Sequence, residues 1–196
     1  CWWPVKDHLS DEPDSMRLSF TAPKSLTCVS NGQFRGERLL PDGHQKVTEW
    51  FVSYPINTYN VTFCLGHYAH IADTYNGLNG DLALDYYVLD YNKMRARKHF
   101  EQVKPMLDCF EKRLGPYPFY RDGYALLETP YWGMEHQGAI AYGNNYMNNQ
   151  WGFDYIIVHE SGHEWFGNHI SIQDNGDLWI HEAFTTYAEA LFVECQ

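Results

Sequence analysis

Basic residues are scarce in this chain of 196 residues, which has 14 Lys and Arg against 25 Asp and Glu and a formal net charge of -11. No cluster of Lys or Arg offsets that charge. The sequence therefore lacks the basic surface that binds nucleic-acid phosphates or anionic lipids. We expect no nucleic-acid partner, and cationic or neutral partners fit the charge better.

Long apolar runs are also missing. A typical apolar stretch is the short piece at 155–158, whereas crossing a bilayer takes about 18 residues or more. We expect no membrane segment in this chain, which reads as soluble. Because the sequence begins with Cys1 and stops at Gln196 inside a predicted helix, we expect both ends to be cuts in a longer protein. Localisation, whether cytoplasmic or exported, and oligomeric state stay open.

Paired cysteine motifs are absent too. The five cysteines contain no C-x-x-C pair, and an odd number cannot all form disulfides, so we expect neither a zinc finger nor a disulfide scaffold. Most of them are expected to be small buried apolar residues. They are Cys1, Cys28, Cys64, Cys109 and Cys195.

The pattern of apolar residues predicts an α+β fold. At 44 % apolar, 17 % aromatic and 20 % charged residues the chain has the composition of an ordered globular protein. Apolar residues alternate with period two at 16–22 and 82–88, which predicts antiparallel strands over residues 1–91. Apolar residues then recur every three or four positions, which predicts a helix over 93–114 that Pro105 should kink or open. The change of period places a domain boundary near residue 92.

Further elements are predicted in the second half. Strands are expected at 124–127 and 139–142, followed by a helix over 155–166 with Asp154 as N-cap and Gly167 as its stop. A last helix is expected from Leu178 onward, behind Asp177. Aromatic residues are expected to pack these two helices together: Trp165, Phe166, Trp179, Phe184 and Tyr187.

The candidate chemistry lies in His-Glu-Ser-Gly-His at 159–163. On a helix, His159 and His163 share one face and can bind one Zn²⁺, while Glu160 can reach a water held by that metal and act as general base. A hydrolytic zinc site needs a third protein ligand, and Glu182, 19 positions after His163, is the favoured one. His181 or Asp177 in that role would still make a zinc site, with a spacing that matches no known pattern.

These residues resemble the gluzincin zinc peptidases, in particular the aminopeptidase N and leukotriene hydrolase family, whose signature is H-E-x-x-H followed after 18 residues by Glu. The flanking segments 159–168 and 178–187 are similar to that family's zinc helix and third-ligand helix. The resemblance implies one Zn²⁺ per chain and peptide substrates with a free amino terminus.

A second segment, Trp132 to His136, is similar to the family motif Gly-x-Met-Glu-Asn. By that resemblance Glu135 would pair with the substrate's α-ammonium, and the main chain at Gly133 and Met134 would pair with the substrate as an added strand. Trp132 stands where the family usually has Gly, and His136 where it usually has Asn. These differences bear on fine specificity.

The resemblance also implies an architecture. Residues 1–91 would be the C-terminal part of a β-rich, saddle-like N-terminal domain, and residues 92–196 the first part of a thermolysin-like catalytic domain. The family's oxyanion-stabilising Tyr would lie beyond Gln196.

Glu189, seven positions after Glu182 on the same helix face, is a candidate acceptor for the second ring N–H of a ligand imidazole. A solvated helix carboxylate is the equal alternative.

The sequence thus predicts a zinc aminopeptidase that removes the N-terminal residue of peptides, with Glu160 as general base. A zinc endopeptidase or a bifunctional epoxide hydrolase and aminopeptidase is the enzymatic alternative. A metal-binding module with an incomplete catalytic apparatus is the non-enzymatic one, which the presence of Glu160 disfavours.

Overall fold

A computed structural model describes residues 2–6 and 8–196 of the chain. Within those residues it contains three β-sheets and four α-helices, which confirms the mixed composition expected from the sequence. Cys1, one of the five cysteines considered above, lies outside the described residues.

The first two sheets belong entirely to the N-terminal part. Strands β1 (Met16–Pro23), β4 (Gln45–Val52) and β3 (Gln33–Leu39) form an antiparallel sheet in the order β1-β4-β3. Strand β2 (Thr27–Ser30) pairs antiparallel with β5 (Phe63–Gly66). The alternation in β1 directs Leu18 and Phe20 towards a small core around Trp50 and Val29, as period-two patterning requires.

The third sheet joins both halves of the chain. Strands β6 (Tyr68–Gly77) and β7 (Gly80–Leu89) form an antiparallel hairpin. Strand β7 then pairs in parallel with β8 (Tyr124–Glu128), which pairs in parallel with β10 (Ile140–Tyr142), and β9 (Gly133–Met134) forms the edge. The strands before residue 91 pair antiparallel with one another, as predicted. The pairing of β7 with β8 nevertheless joins strands from the two sides of residue 91. The domain boundary there stays a prediction.

The predicted helix over 93–114 is divided. Helix α1 (Lys93–His99) is followed by a 3₁₀ turn at Phe100–Gln102 and then by α2 (Val103–Leu114). The opening lies just before Pro105, because proline has no N–H to donate to the carbonyl four residues earlier. The main core forms where these helices cover the third sheet, with Phe100, Leu107 and Phe110 buried against Leu82 and Leu84.

Two helices carry the predicted metal ligands. Helix α3 (Tyr155–Gly162) begins behind Asp154, whose side chain accepts from the Ile156 N–H at 2.9 Å and confirms the predicted N-cap. The predicted end at Phe166 is wrong: α3 ends at Gly162, and the chain continues in tight turns, in which Glu164 and Trp165 donate to carbonyls three residues back.

Helix α4 (Trp179–Glu194) begins one residue after the expected start. Its N-cap is Leu178 and not Asp177, which instead ends a 3₁₀ turn at Asn175–Asp177. Trp179 and Tyr187 do not pack between the helices, because they occupy the face of α4 opposite to its buried residues. Trp165 is buried, and Phe166 stacks on Phe184 with ring centroids 5.2 Å apart.

The cysteine prediction is wrong for two residues. Cys109 in α2 and Cys195 at the end of α4 form a disulfide across 86 positions of sequence. Because the two cysteines are far apart in sequence, no local motif predicts that they pair. The disulfide forms because α2 lies beside α4. Cys28 is buried as a free thiol, as predicted, and Cys64 is a half-buried one.

Among residues 2–6 and 8–196, no helix combines the length and the apolar character that crossing a membrane would require.

Candidate metal centre

The two histidines of α3 lie next to each other. Their ring centroids are 4.9 Å apart, and one nitrogen from each, together with a Glu160 carboxylate oxygen, fall within 4.8 Å of one another. The spacing of four residues produces this proximity because it closes slightly more than one helical turn. Although His163 follows the last residue of α3, it keeps helical backbone angles and so stays in register with His159.

Glu182 reaches both histidines from α4. Its Oε2 atom lies 3.4 Å from His159 Nε2 and its Oε1 atom lies 3.5 Å from His163 Nε2. The carboxylate side chain is 63 % exposed, whereas the His163 side chain is 1 % exposed. The site is therefore open on the side of Glu182 and closed on the side of α3, which suits a centre that must admit a substrate.

The other ring nitrogen of each histidine has its own partner. His159 Nδ1 lies 2.7 Å from Glu189 Oε1, and His163 Nδ1 lies 3.0 Å from the carbonyl oxygen of Phe166. Acceptors at Nδ1 favour the tautomer that leaves Nε2 with a free lone pair, which is the form that binds a metal. Burial lowers the pKa of His159, but the hydrogen bond to Glu189 and the nearby carboxylates raise it above the ordinary value.

The donor set fits a zinc ion. His163 Nε2 is buried and has no hydrogen-bond partner among the described residues. Because a buried polar atom without a partner costs folding free energy, this nitrogen indicates a ligand that is not one of the protein's own side chains. Two imidazoles and one carboxylate, with an open side, are a donor set that zinc uses in hydrolytic sites.

Glu160 lies on the same turn of α3 as His159, and unlike Glu182 it is buried. It is only 7 % exposed, and burial, with smaller contributions from Glu135 and Glu182, raises the pKa of its carboxyl to about 8. Gly133 of β9 lies so close that an added Cβ would overlap the Glu160 carboxylate. A larger residue at position 133 would therefore have to displace the Glu160 carboxylate.

Strand β9 brings the second motif close to the predicted metal ligands. Gly133 and Met134 pair antiparallel with Tyr142 and Ala141 of β10, and β9 is the last strand of the third sheet. An edge strand presents unpaired main-chain groups to which an extended peptide can add. The structure thus brings Gly133, Met134 and Glu135 beside Glu160.

Glu135 lines a cavity of about 570 Å³ that also contacts Glu182. Its Oε1 atom accepts from the hydroxyl of Tyr59 at 3.2 Å. The remaining lining residues come from α4, the turn before it and the N-terminal part: His8, Leu9, Thr58, Tyr59, Asn175, Leu178 and His181. Tyr59 was not singled out by the sequence, because one Tyr among 15 carries no local signal.

The two histidines beside the candidate residues are not in the metal cluster. His136 and His181 each have a buried ring nitrogen without a partner among the described residues. Burial lowers the pKa of His136 to about 4 and also lowers the pKa of His181. Both shifts favour the neutral imidazole. The close group of possible ligand atoms from His159, Glu160 and His163 includes neither of these histidines, nor Glu182, whose oxygens lie 3.4 Å and 3.5 Å from the Nε2 atoms.

Known proteins resemble this chain in sequence. Residues 98–196 match the Peptidase family M1 domain, and the chain belongs to that family. It is 27 % identical to glutamyl aminopeptidase of Rattus norvegicus over 93 % of the chain and 20 % of that protein. It is 26 % identical to aminopeptidase N of Streptomyces lividans over 92 % of the chain and 22 % of that protein.

Solved structures show the same fold. The M1 zinc metallopeptidase from Deinococcus radiodurans superposes with a TM-score of 0.78 at 22 % identity, covering 98 % of this chain and 43 % of that one. A mutant of that enzyme bound to a Tyr-Ser-Ala substrate superposes with the same TM-score, identity and coverage. The chain spans about a fifth of the length of the curated relatives.

Proposed function

We propose that the chain carries the zinc centre of an aminopeptidase that hydrolyses the N-terminal residue from peptides. The observation that carries the proposal is the approach of Glu182 to both Nε2 atoms, at 3.4 Å and 3.5 Å, beside a buried and unpartnered His163 nitrogen. His159, His163 and Glu182 would hold one Zn²⁺ per chain. The relatives named as aminopeptidases support the reaction class.

The reaction follows from the groups around that centre. A zinc ion held by these ligands would supply Lewis acidity, which polarises the peptide carbonyl and makes water a better nucleophile. Glu160 would take a proton from the attacking water and deliver it to the nitrogen of the leaving amine as the C–N bond breaks. Its enclosed position beside Gly133 keeps that carboxyl close to the edge strand on which the substrate would lie.

Substrate orientation would come from the second motif. The free edge of β9 at Gly133 and Met134 would pair with the substrate main chain, as in strand addition. The Glu135 carboxylate would pair with the α-ammonium and thereby place the first peptide bond at the metal. The structure of a related enzyme with Tyr-Ser-Ala supports a peptide substrate.

The amine pairing is tested with two substrates that differ only at the amino terminus. We expect an aminoacyl p-nitroanilide to be cleaved by the complete polypeptide at least about 100-fold faster than its N-acetylated form, because acetylation removes the charge that Glu135 would bind. Glu135→Gln should reduce that preference, and Glu101→Gln on an exposed helical turn is the control. Equal cleavage of both substrates would favour an endopeptidase instead.

We also infer the domain assignment. Residues 1–91 would be the end of a saddle-like N-terminal domain and residues 92–196 the start of a thermolysin-like catalytic domain. The segregation of β1 to β5 into two separate small sheets supports the first part, and the position of all four α-helices after residue 92 supports the second. The hairpin β6-β7, although it precedes residue 91, pairs with β8 in the third sheet.

Glu189 is proposed to orient His159. The contact of 2.7 Å between Glu189 Oε1 and His159 Nδ1 supports this role, since such partners fix the ring and raise its basicity. We expect Glu189→Gln to weaken zinc binding by about 10- to 100-fold, measured by competition with a chromophoric chelator. Glu194→Gln, on the same helix and exposed, is the matched control. Unchanged affinity in Glu189→Gln would make Glu189 an ordinary helix carboxylate.

A further inference from the structure

The N-terminal part of the chain holds Glu135 through one short turn. The 3₁₀ turn Thr58–Asn60 precedes β5 and places Tyr59 against Glu135, whose Oε1 atom accepts from the Tyr59 hydroxyl at 3.2 Å. Burial, reinforced by the charge of Glu135, raises the pKa of Tyr59 well above its ordinary value. The hydroxyl therefore keeps its proton and acts as a donor throughout the physiological range.

The same turn also fixes the main chain of Glu135. Asn60 Nδ2 donates to Asn168 Oδ1 at 2.6 Å, and Asn168 Nδ2 donates to the carbonyl oxygen of Glu135 at 2.8 Å. Asn60 and Asn168 are both buried. Because Asn168 also bonds through its own N–H to the carbonyl of His163 at 3.0 Å, the backbone of Glu135 is tied to the end of the helix that carries the histidines.

The charge of Glu135 is left without a cationic partner. None of the ion pairs among residues 2–6 and 8–196 includes this carboxylate. Its oxygen Oε1 is engaged by a neutral donor, and the side chain lines the cavity that Glu182 shares. A carboxylate held in this way keeps its charge available for a ligand ammonium.

We propose that Tyr59 is a positioning residue for the recognition of the substrate's amino terminus. Its hydroxyl fixes Oε1 of Glu135 and so restricts the rotation of a flexible side chain, which leaves Oε2 as the oxygen that meets the ammonium. The β-rich part of the chain thereby contributes to exopeptidase selectivity without supplying a metal ligand. This inference rests on the amine-pairing role proposed for Glu135.

The test is Tyr59→Phe in the zinc-loaded complete polypeptide. We expect KM for an aminoacyl p-nitroanilide to rise about tenfold, with kcat changed by less than about twofold, because an interaction made equally in the ground and transition states is lost. Cleavage of the N-acetylated substrate should not change. Tyr68→Phe removes a comparable hydroxyl, which donates to the carbonyl of Glu128 at 2.9 Å away from the site, and should leave KM unaltered.

A double-mutant cycle with Glu135→Gln separates the possible outcomes. If Tyr59 acts through Glu135, adding Tyr59→Phe to Glu135→Gln should produce no further rise in KM. Additive effects, a KM in Tyr59→Phe equal to that of the unmodified protein, or an equal loss on both substrates with a lowered melting temperature would each overturn the inference. If Glu135→Gln itself leaves the substrate preference intact, the proposed amine pairing fails first, and the role of Tyr59 fails with it.

Discussion

Glu160→Gln is expected to lower kcat/KM by about 10³-fold, because a positioned general base contributes roughly 10² to 10⁴ to such a rate. Gln has nearly the same shape as Glu and fits the enclosed space beside Gly133. It cannot take a proton from water, however, or return one to the leaving amine. The loss should therefore appear in kcat for every peptide substrate and not in KM alone.

Retention of the metal distinguishes this effect from loss of the site. Because Glu160 is not among the proposed ligands, Glu160→Gln should keep about one zinc per chain by elemental analysis and an unchanged melting temperature. Glu101→Gln, an exposed glutamate outside the centre, serves as control for the loss of one charge. Activity near the original level in zinc-loaded Glu160→Gln would show that another group is the base.

His163→Ala is expected to abolish stoichiometric zinc. The imidazole is one of three proposed protein ligands, and its side chain is 1 % exposed, so neither another side chain nor bulk water readily fills the gap. We expect affinity to fall by more than about 100-fold, beyond the range seen when only an orienting partner is removed. Peptidase activity should disappear in parallel, because no metal remains to assist the reaction.

The measurement is zinc content after dialysis, together with competition against a chromophoric chelator. His70→Ala is the histidine control, because His70 is exposed and pairs with Asp85 at 2.6 Å on the hairpin β6-β7. Circular dichroism shows whether His163→Ala remains folded. A folded His163→Ala protein that still binds one zinc tightly would refute the proposed metal centre.

Local patterns predicted most of the regular structure. Alternation of apolar residues predicted β1 and β7, and the three- and four-residue spacing of apolar residues predicted α1 and α2. Asp154 was identified as an N-cap because a short acidic side chain before an apolar segment can accept from the first turn's N–H groups. These features depend on neighbours in sequence, which is why a single sequence reveals them.

Features that depend on distant residues were missed or misplaced. The Cys109–Cys195 disulfide requires α2 and α4 to lie side by side, and neither cysteine has a motif that predicts this. Helix α3 ends at Gly162, five residues before the glycine at 167 that looked like the stop. Tyr59 meets Glu135 across 76 positions of sequence.

The sequence by itself predicted the chemistry proposed for this protein, because the types and spacing of His159, Glu160, His163 and Glu182 are those of a zinc-binding helix followed by a third donor. Only the tertiary structure decided how those donors are oriented. Glu189 and the Phe166 carbonyl lie against the Nδ1 atoms of the two histidines, Gly133 lets the edge strand approach Glu160, and Tyr59 reaches Glu135 from the β-rich part. Such contacts form between segments far apart in the chain, so their geometry exists only once the sheets and helices have packed.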